Sequence, residues 1–199
     1  MKKKQTASLE NKIEKEYGNI AGIIVLKDDN AVYENYFNQC SESDPVHIFS
    51  VTKSIISMLF GIAIDQGCIK NPDEKIIDFF PDYHISKSEK IIQHITIRNL
   101  LTMTAPYKYK FNPYPKYFSS EDWVRSSLDF LGGNGKIGKF KYAPIIGIDI
   151  LSGILIKATG KSVLEFAQDN LFSPLEISVE KNIYFQNKEE QIDFYKSKG

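Results

Sequence analysis

The chain has 199 residues, 42% of them apolar and 25% charged, the proportions of an ordinary soluble globular protein with enough length for a sizeable core. Its 25 basic and 25 acidic residues cancel, and arginine occurs only at Arg98 and Arg125, so a nucleic-acid surface is not expected; the lysines at 2–4 are too few for a basic arm. The polar stretch after those lysines contains no apolar run, so neither a signal peptide nor a membrane span is expected in the chain as given. The location this suggests is cytoplasmic, or secreted if a leader has been removed.

In chain order, residues 7–17 read as a short amphipathic helix with Glu10, Lys12 and Glu14 on its wet side. The β-branched run 20–27, the turn Asp28-Asp29-Asn30 and the alternating stretch 31–37 predict a β-hairpin. A polar loop, 41–45, leads to the longest apolar segment, 48–69, expected as a largely buried helix that stops at Gly67 and Asn71-Pro72. Thr96 can cap a helix running to 101–103. Residues 106–115 form a Tyr- and Pro-rich loop, and 119–130 are helical with Ser119 or Ser120 as cap. The glycine-rich loop 132–138 precedes Tyr142, and helices follow over 145–159 and 162–171.

Two strands and then helices make an incomplete sheet. A lone hairpin has two open edges and an uncovered face, so its sheet should have more strands than this chain supplies, and self-association through the unpaired edges is an expected liability. Cys40 and Cys68 form no C-x-x-C and read as free thiols or small core residues. His47, His84 and His94 are too dispersed for a metal site, and no metal or other cofactor is expected.

The chemistry concentrates at Ser50-Val51-Thr52-Lys53. One helical turn puts the Ser50 hydroxyl and the Lys53 amine on one face. A serine hydroxyl needs a base to become a nucleophile, and a lysine desolvated against an apolar helix can be that base or polarise the hydroxyl. A helix N-terminus adds N–H donors and a positive dipole beside developing negative charge. The reaction implied is acyl transfer: attack of Ser50 on an ester or amide carbonyl, then release of the acyl group by water. By letters alone S-x-x-K is weak, since roughly two matches arise by chance in such a chain. A second does occur at Ser178–Lys181, but without a long helix behind it. The bland reading of Ser50 is a helix cap and of Lys53 a snorkelling surface lysine.

The segments Phe49-Ser50-Val51-Thr52-Lys53-Ser54-Ile55 and Gly61-Ile62-Ala63-Ile64-Asp65-Gln66-Gly67 resemble the serine β-lactamase and penicillin-binding protein superfamily, most of all its class C-like branch with its many esterases. The similarity continues at Asp78-Phe79-Phe80-Pro81, over 95–104, at Phe140-Lys141-Tyr142, Leu151-Ser152-Gly153, 158–162 and 171–175, in the family's order. The resemblance implies an α/β fold, β-lactamase-like, with an antiparallel sheet made from both chain ends and a mainly helical region inserted between. Here few strands are expected, because the C-terminal part of the family's fold is missing. Residues 1–47 would supply the N-terminal helix and hairpin, and 48–199 the nucleophile helix and helical region of a single incomplete domain. The resemblance also implies that Tyr142, otherwise one of eleven tyrosines, matches the tyrosine of a Tyr-x-Asn element and shares proton transfer with Lys53, whose positive charge would favour a phenolate.

Three departures qualify what the resemblance implies. Pro144 stands where the Asn amide would help bind the side chain of a β-lactam, and Thr104-Ala105-Pro106 replaces the usual Thr-Ser-Gly. No His-x-Gly occurs, and Lys136-Ile137-Gly138 fits Lys-x-Gly only by letters, on a loop ahead of Tyr142. The strand bearing that third motif also gives the family an oxyanion-hole N–H, and one such donor is worth about 10²–10³ in rate. Expected substrates are therefore a small ester or amide, or a β-lactam, with Ser50, Lys53 and Tyr142 as catalytic residues. The contrasting reading is a catalytically inactive remnant or binding module. His47 reads as a loop residue rather than a base, Asp65 and Gln66 as structural, and loop 107–118 as a wall of the cleft by family analogy.

Overall fold

The computed structural model describes residues 3–109 and 114–179, which fall into two compact units divided between Phe49 and Ser50.

The first unit is a helix and a hairpin. Helix α1 (Lys3–Glu16) begins earlier than its apolar pattern predicts and buries Ile13. Strands β1 (Gly22–Lys27) and β2 (Asn30–Tyr36) pair antiparallel from Gly22↔Tyr36 to Lys27↔Asn30, with an irregularity between Val25 and Leu26. The two residues between them, Asp28 and Asp29, have φ of 50° and 59°, so the turn has the doubly left-handed backbone whose twist suits a two-residue hairpin. Aspartate tolerates that conformation better than most residues. Tyr33 Oη donates to Glu10 Oε1 at 3.1 Å and fastens β2 to α1. Phe37 is buried, while Ile24, Leu26 and Val32 remain exposed. Among the described residues this is a two-stranded sheet, as the sequence led one to expect.

The second unit is helical and is built around α6 (Ile146–Thr159). A 3-10 turn, Phe49–Val51, runs into α2 (Thr52–Asp65), which buries Ile56, Leu59, Phe60 and Ala63 along one face. The helix expected to be largely buried is amphipathic: Ser54 and Ser57 are exposed, and Met58 is half exposed. Thr96 closes a capping box with Asn99 at the start of α3 (Ile97–Leu101), an arrangement worth about 1 kcal/mol. Part of the expected 106–115 loop is helical, as α4 (Tyr114–Phe118). Helix α5 (Trp123–Asp129) is capped by Asp122, whose carboxylate accepts from Arg125 N at 2.8 Å. Neither predicted serine caps it; the Ser120 hydroxyl instead donates to Asp122 O. Ser162 and Glu165 form a second capping box at α7 (Val163–Ala167), which continues as a π-helical turn, Gln168–Phe172.

Helix α6 packs against α2, α3, α5 and α7. Its Ile146, Ile150, Leu151, Ile154 and Leu155 are buried against Leu59, Phe60, Leu100, Leu128 and Phe166 of one continuous core. Each such side chain contributes roughly 1.5–3 kcal/mol by leaving water. At Gly153 the helix meets α5 without a side chain, and an added Cβ would lie 2.8 Å from Val124 Cγ1 and 3.3 Å from Phe80 Cζ. Valine at 153 would bring both γ-methyls into that contact without a gain in helix propensity over the common helix formers. Gly153→Val is expected to lower unfolding free energy by about 2 kcal/mol, measured by urea denaturation followed by far-UV circular dichroism.

Candidate active site

Ser50 lies in the 3-10 turn ahead of α2, and Lys53 lies in the first turn of α2. Lys53 Nζ donates to Ser50 Oγ at 3.1 Å. The same Oγ is 2.8 Å from Tyr142 Oη, and the Lys53 ammonium stands 5.6 Å from the centre of the Tyr142 ring. So three residues selected from the sequence, 92 positions apart at the extremes, meet at one oxygen. Ser50 is not a helix cap: Val51 holds the N-cap position of α2, and no side chain caps it. Lys53 is half-buried, and Ser50 and Tyr142 are exposed.

Tyr142 is delivered by backbone bonding to the segment after α3. Met103, at φ of 55°, turns its carbonyl to accept from Lys141 N at 2.8 Å, and Thr104 O accepts from Gly138 N at 2.9 Å. The Ala105-Pro106 departure sits inside this tie. Both residues are buried, and Pro106 O accepts from Gly132 N at 2.9 Å. The glycine-rich loop is also held by Glu89, which accepts from Gly133 N at 2.8 Å and lies 3.7 Å from Lys108 Nζ. Lys136-Ile137-Gly138 belongs to that loop, in no strand. Phe49, immediately before the nucleophile candidate, has φ of 44°. For an aromatic side chain this left-handed backbone costs on the order of 1–3 kcal/mol, the kind of local strain that collects at functional positions.

A small recess opens beside Lys53, lined also by Leu100, Met103, Tyr107, Ala143 and Gly147. Tyr107 is the part of loop 107–118 that reaches it; residues 110–113 lie outside the described residues. Pro144 precedes α6 and supplies no side-chain amide. His47 Nδ1 accepts from Phe49 N at 2.9 Å. Gln66 Nε2 donates to Asn170 Oδ1 at 2.6 Å, a structural bond between α2 and the π-helical turn. Ser178 is exposed, and its partner Lys181 lies outside the described residues. Cys40 and Cys68 are free thiols. Among the described residues there is no cluster suited to a metal ion and no helix long and apolar enough to cross a membrane.

One titratable group escapes the motif reading. Asp149, the single acid of α6, accepts from the Tyr117 hydroxyl of α4 in a short hydrogen bond and from Ser127 Oγ of α5 at 3.3 Å. Burial pushes its carboxyl up to about 6, opposed by those two donors and by the Lys53 charge. Burial and the neighbouring carboxylate keep the Tyr117 phenol protonated, as a donor must be. The sequence signal was present but unread: one aspartate inside the apolar run Ile145-Ile146-Gly147-Ile148-Asp149-Ile150-Leu151.

The helical unit joined to a short hairpin, with a Ser-x-x-Lys turn facing a tyrosine, defines a β-lactamase-like fold. The chain belongs to the Beta-lactamase family, whose sequence pattern it matches over residues 11–190. That family is a serine hydrolase superfamily. Among solved structures it is similar to a presumed beta-lactamase from Bacteroides dorei, at 17% identity and TM-score 0.67 over 96% of this chain and 61% of the other. It is also similar to EstCE1, a hydrolase with promiscuous acyltransferase activity, at 19% identity and TM-score 0.67 over 88% of this chain and 51% of that one. A penicillin-binding protein homolog from Caulobacter crescentus matches at 17% identity and TM-score 0.60, over 85% of this chain and 48% of its own. The chain therefore spans about half to three-fifths of the length of these relatives. No curated protein sequence matches it.

Because Asp149 holds its proton to higher pH in the fold than the ordinary value of 3.8, the folded state binds more protons than the unfolded chain between those limits. Its contribution is fully present below the unfolded value and is lost as pH rises through about 6. The stability of Asp149→Asn relative to the parent should accordingly rise by up to roughly 3 kcal/mol between pH 4 and pH 7.5, read from urea midpoints at the two pH values.

Proposed function

We propose that the chain carries the acylation machinery of a serine hydrolase acting on an ester or amide, with Ser50 as nucleophile and Lys53 and Tyr142 as its proton-transfer partners. The observation that supports this most is the pair of contacts at Ser50 Oγ: 3.1 Å from Lys53 Nζ and 2.8 Å from Tyr142 Oη. A hydroxyl oxygen that accepts from Lys53 keeps its own O–H for donation, and Tyr142 is the acceptor within reach. The route for the proton is then Ser50 Oγ to the Tyr142 oxygen, with Lys53 Nζ beside the same hydroxyl.

In the first step Ser50 Oγ bonds to the carbonyl carbon, the carbonyl π pair moves onto oxygen, and the hydroxyl proton passes to the tyrosine–lysine pair. Collapse of the tetrahedral centre expels the alkoxide or amine, which takes that proton. Water then adds to the acyl carbon, the bond to Ser50 Oγ breaks to release the carboxylic acid, and a proton from that water restores the Ser50 hydroxyl. The head of α2 has no side-chain cap, and a helix start of this kind offers N–H donors to a developing oxyanion. Pro144 favours an ester or simple amide over a β-lactam, because no side-chain amide is there to hold an acylamino group.

Intact-mass spectrometry after exposure to an activated short-chain ester, and separately to a penicillin, tests this. An acyl adduct is expected on the parent and absent in Ser50→Ala, with the ester labelling faster. Lys53→Met and Tyr142→Phe should each slow labelling at least about 10²-fold. A folded parent that takes up neither reagent would leave the inactive remnant or binding module as the better reading.

A further inference from the structure

The loop that delivers Tyr142 carries a surface that the reaction above leaves unused. Residues 134–142 are exposed without a break. Between Asp129 and Asp149 the chain has no acid, and its charges there are Lys136, Lys139 and Lys141. Set among them are Ile137, 38% exposed, and Phe140, 66% exposed. A single apolar side chain in water is ordinary; two of them alternating with three lysines make a mixed basic and apolar strip. The strip is anchored, because Gly138 N donates to Thr104 O at 2.9 Å and Lys141 N to Met103 O at 2.8 Å, with Lys139 and Phe140 between the two bonds. The Lys141 ammonium turns to the Tyr109 ring, 4.5 Å from its centre. Lys136 and Lys139 make no ion pair among the described residues. Glu89, the acid bonded to this loop, is buried and already engaged with Gly133 N and Lys108.

We propose that this strip docks the chain on an anionic lipid surface, with Phe140 and Ile137 entering the boundary between headgroups and acyl chains and Lys136 and Lys139 meeting the headgroup phosphates. The alternation selects the partner. Lysines alone would suit any polyanion, and apolar side chains alone any apolar face. A surface that is anionic at its plane and apolar a few ångströms below satisfies both at once, with the lysine stems lying along the boundary and their ammonium groups in water. An extended acidic peptide is held in a groove, and neither Ile137 nor Phe140 lines the recess beside Lys53. A nucleic acid would draw on arginine forks, and the strip has none. Because the acids and bases of the whole chain cancel, the attraction is local to this loop and orients the molecule. The attachment is peripheral and needs no spanning helix, of which the described residues have none. It goes beyond the hydrolase reading and does not rest on it.

Vesicle co-sedimentation tests the proposal, with phosphatidylcholine vesicles prepared with and without phosphatidylserine. The parent should sediment with the phosphatidylserine vesicles, stay in solution with phosphatidylcholine alone, and come off as salt shortens the screening length from about 10 Å at 0.1 M to about 3 Å at 1 M. Lys136→Gln and Lys139→Gln should each weaken the partition about fivefold. Phe140→Ser should weaken it at least about tenfold while leaving its salt dependence unchanged. All three positions are exposed, so the variants should keep the parent's far-UV circular dichroism and urea midpoint. Ser50→Ala should bind like the parent, which separates this proposal from the assignment of the nucleophile. Equal binding to both kinds of vesicle, no binding by a folded parent, or folded Lys136 and Phe140 variants that bind like the parent would each overturn it. Retention on heparin that is the same for the parent and Phe140→Ser, without uptake by vesicles, would make the strip a polyanion site and likewise reject the lipid surface.

Discussion

The burial of α6 is the constraint on which the helical unit depends. Apolar residues at 146, 150, 151, 154 and 155 need neighbours over more than half the helix circumference. Four other helices provide them. Helix α2 reaches the core through Leu59, Phe60 and Ala63, and this fixes its rotation about its own axis. Once the rotation is set, Ser50 and Lys53, one turn apart at its N-terminal end, have a defined direction. Tyr142, just ahead of α6, is fixed from the other side. The serine–lysine–tyrosine meeting is thus the product of one packing problem, and damage to the α6 core should reach the site without touching any of its residues.

What the core does not fix, backbone hydrogen bonds do. The chain from 132 to 142 is rich in glycine and has little to bury, so it would sample many conformations if left alone. It is instead bonded to the Met103 and Thr104 carbonyls and to the buried Glu89 carboxylate. The Ala105-Pro106 pair, a departure by sequence, fits this arrangement. A proline has no N–H to satisfy, and its carbonyl accepts from Gly132. The departure changes the side chains of the turn while its backbone still anchors the loop that carries Tyr142.

The features legible in the sequence were those set by local chemistry. The hairpin turn at Asp28-Asp29, the Thr96 and Ser162 caps and the long helices follow from short-range preferences. The Ser50–Lys53 pair is also local, one helical turn. Tyr142 is not, and it was singled out only because the surrounding motifs resemble a known family. The misses were tertiary. Asp122 outcompetes two nearby serines for the α5 cap, a choice between chemically similar candidates that propensity does not rank. Residues 114–118 turn helical where Tyr117 packs into the core, although prolines argued for a loop. Asp149 was passed over because an isolated acid in an apolar run has no periodicity, and its partners lie 22 and 32 residues away.

That acid also bears on why the core tolerates it. An aspartate bonded by two hydroxyls could be replaced by an apolar residue of similar size with little loss of stability, and often with a gain. The Tyr117 and Ser127 hydroxyls would then need partners of their own, so the replacement must be concerted across three helices. Packing alone gives no reason for the cluster, since Ile146, Ile150 and Ile154 show that α6 is otherwise built to be dry. What the cluster does provide is a single oxygen, Asp149 Oδ2, at which side chains of α4, α5 and α6 meet.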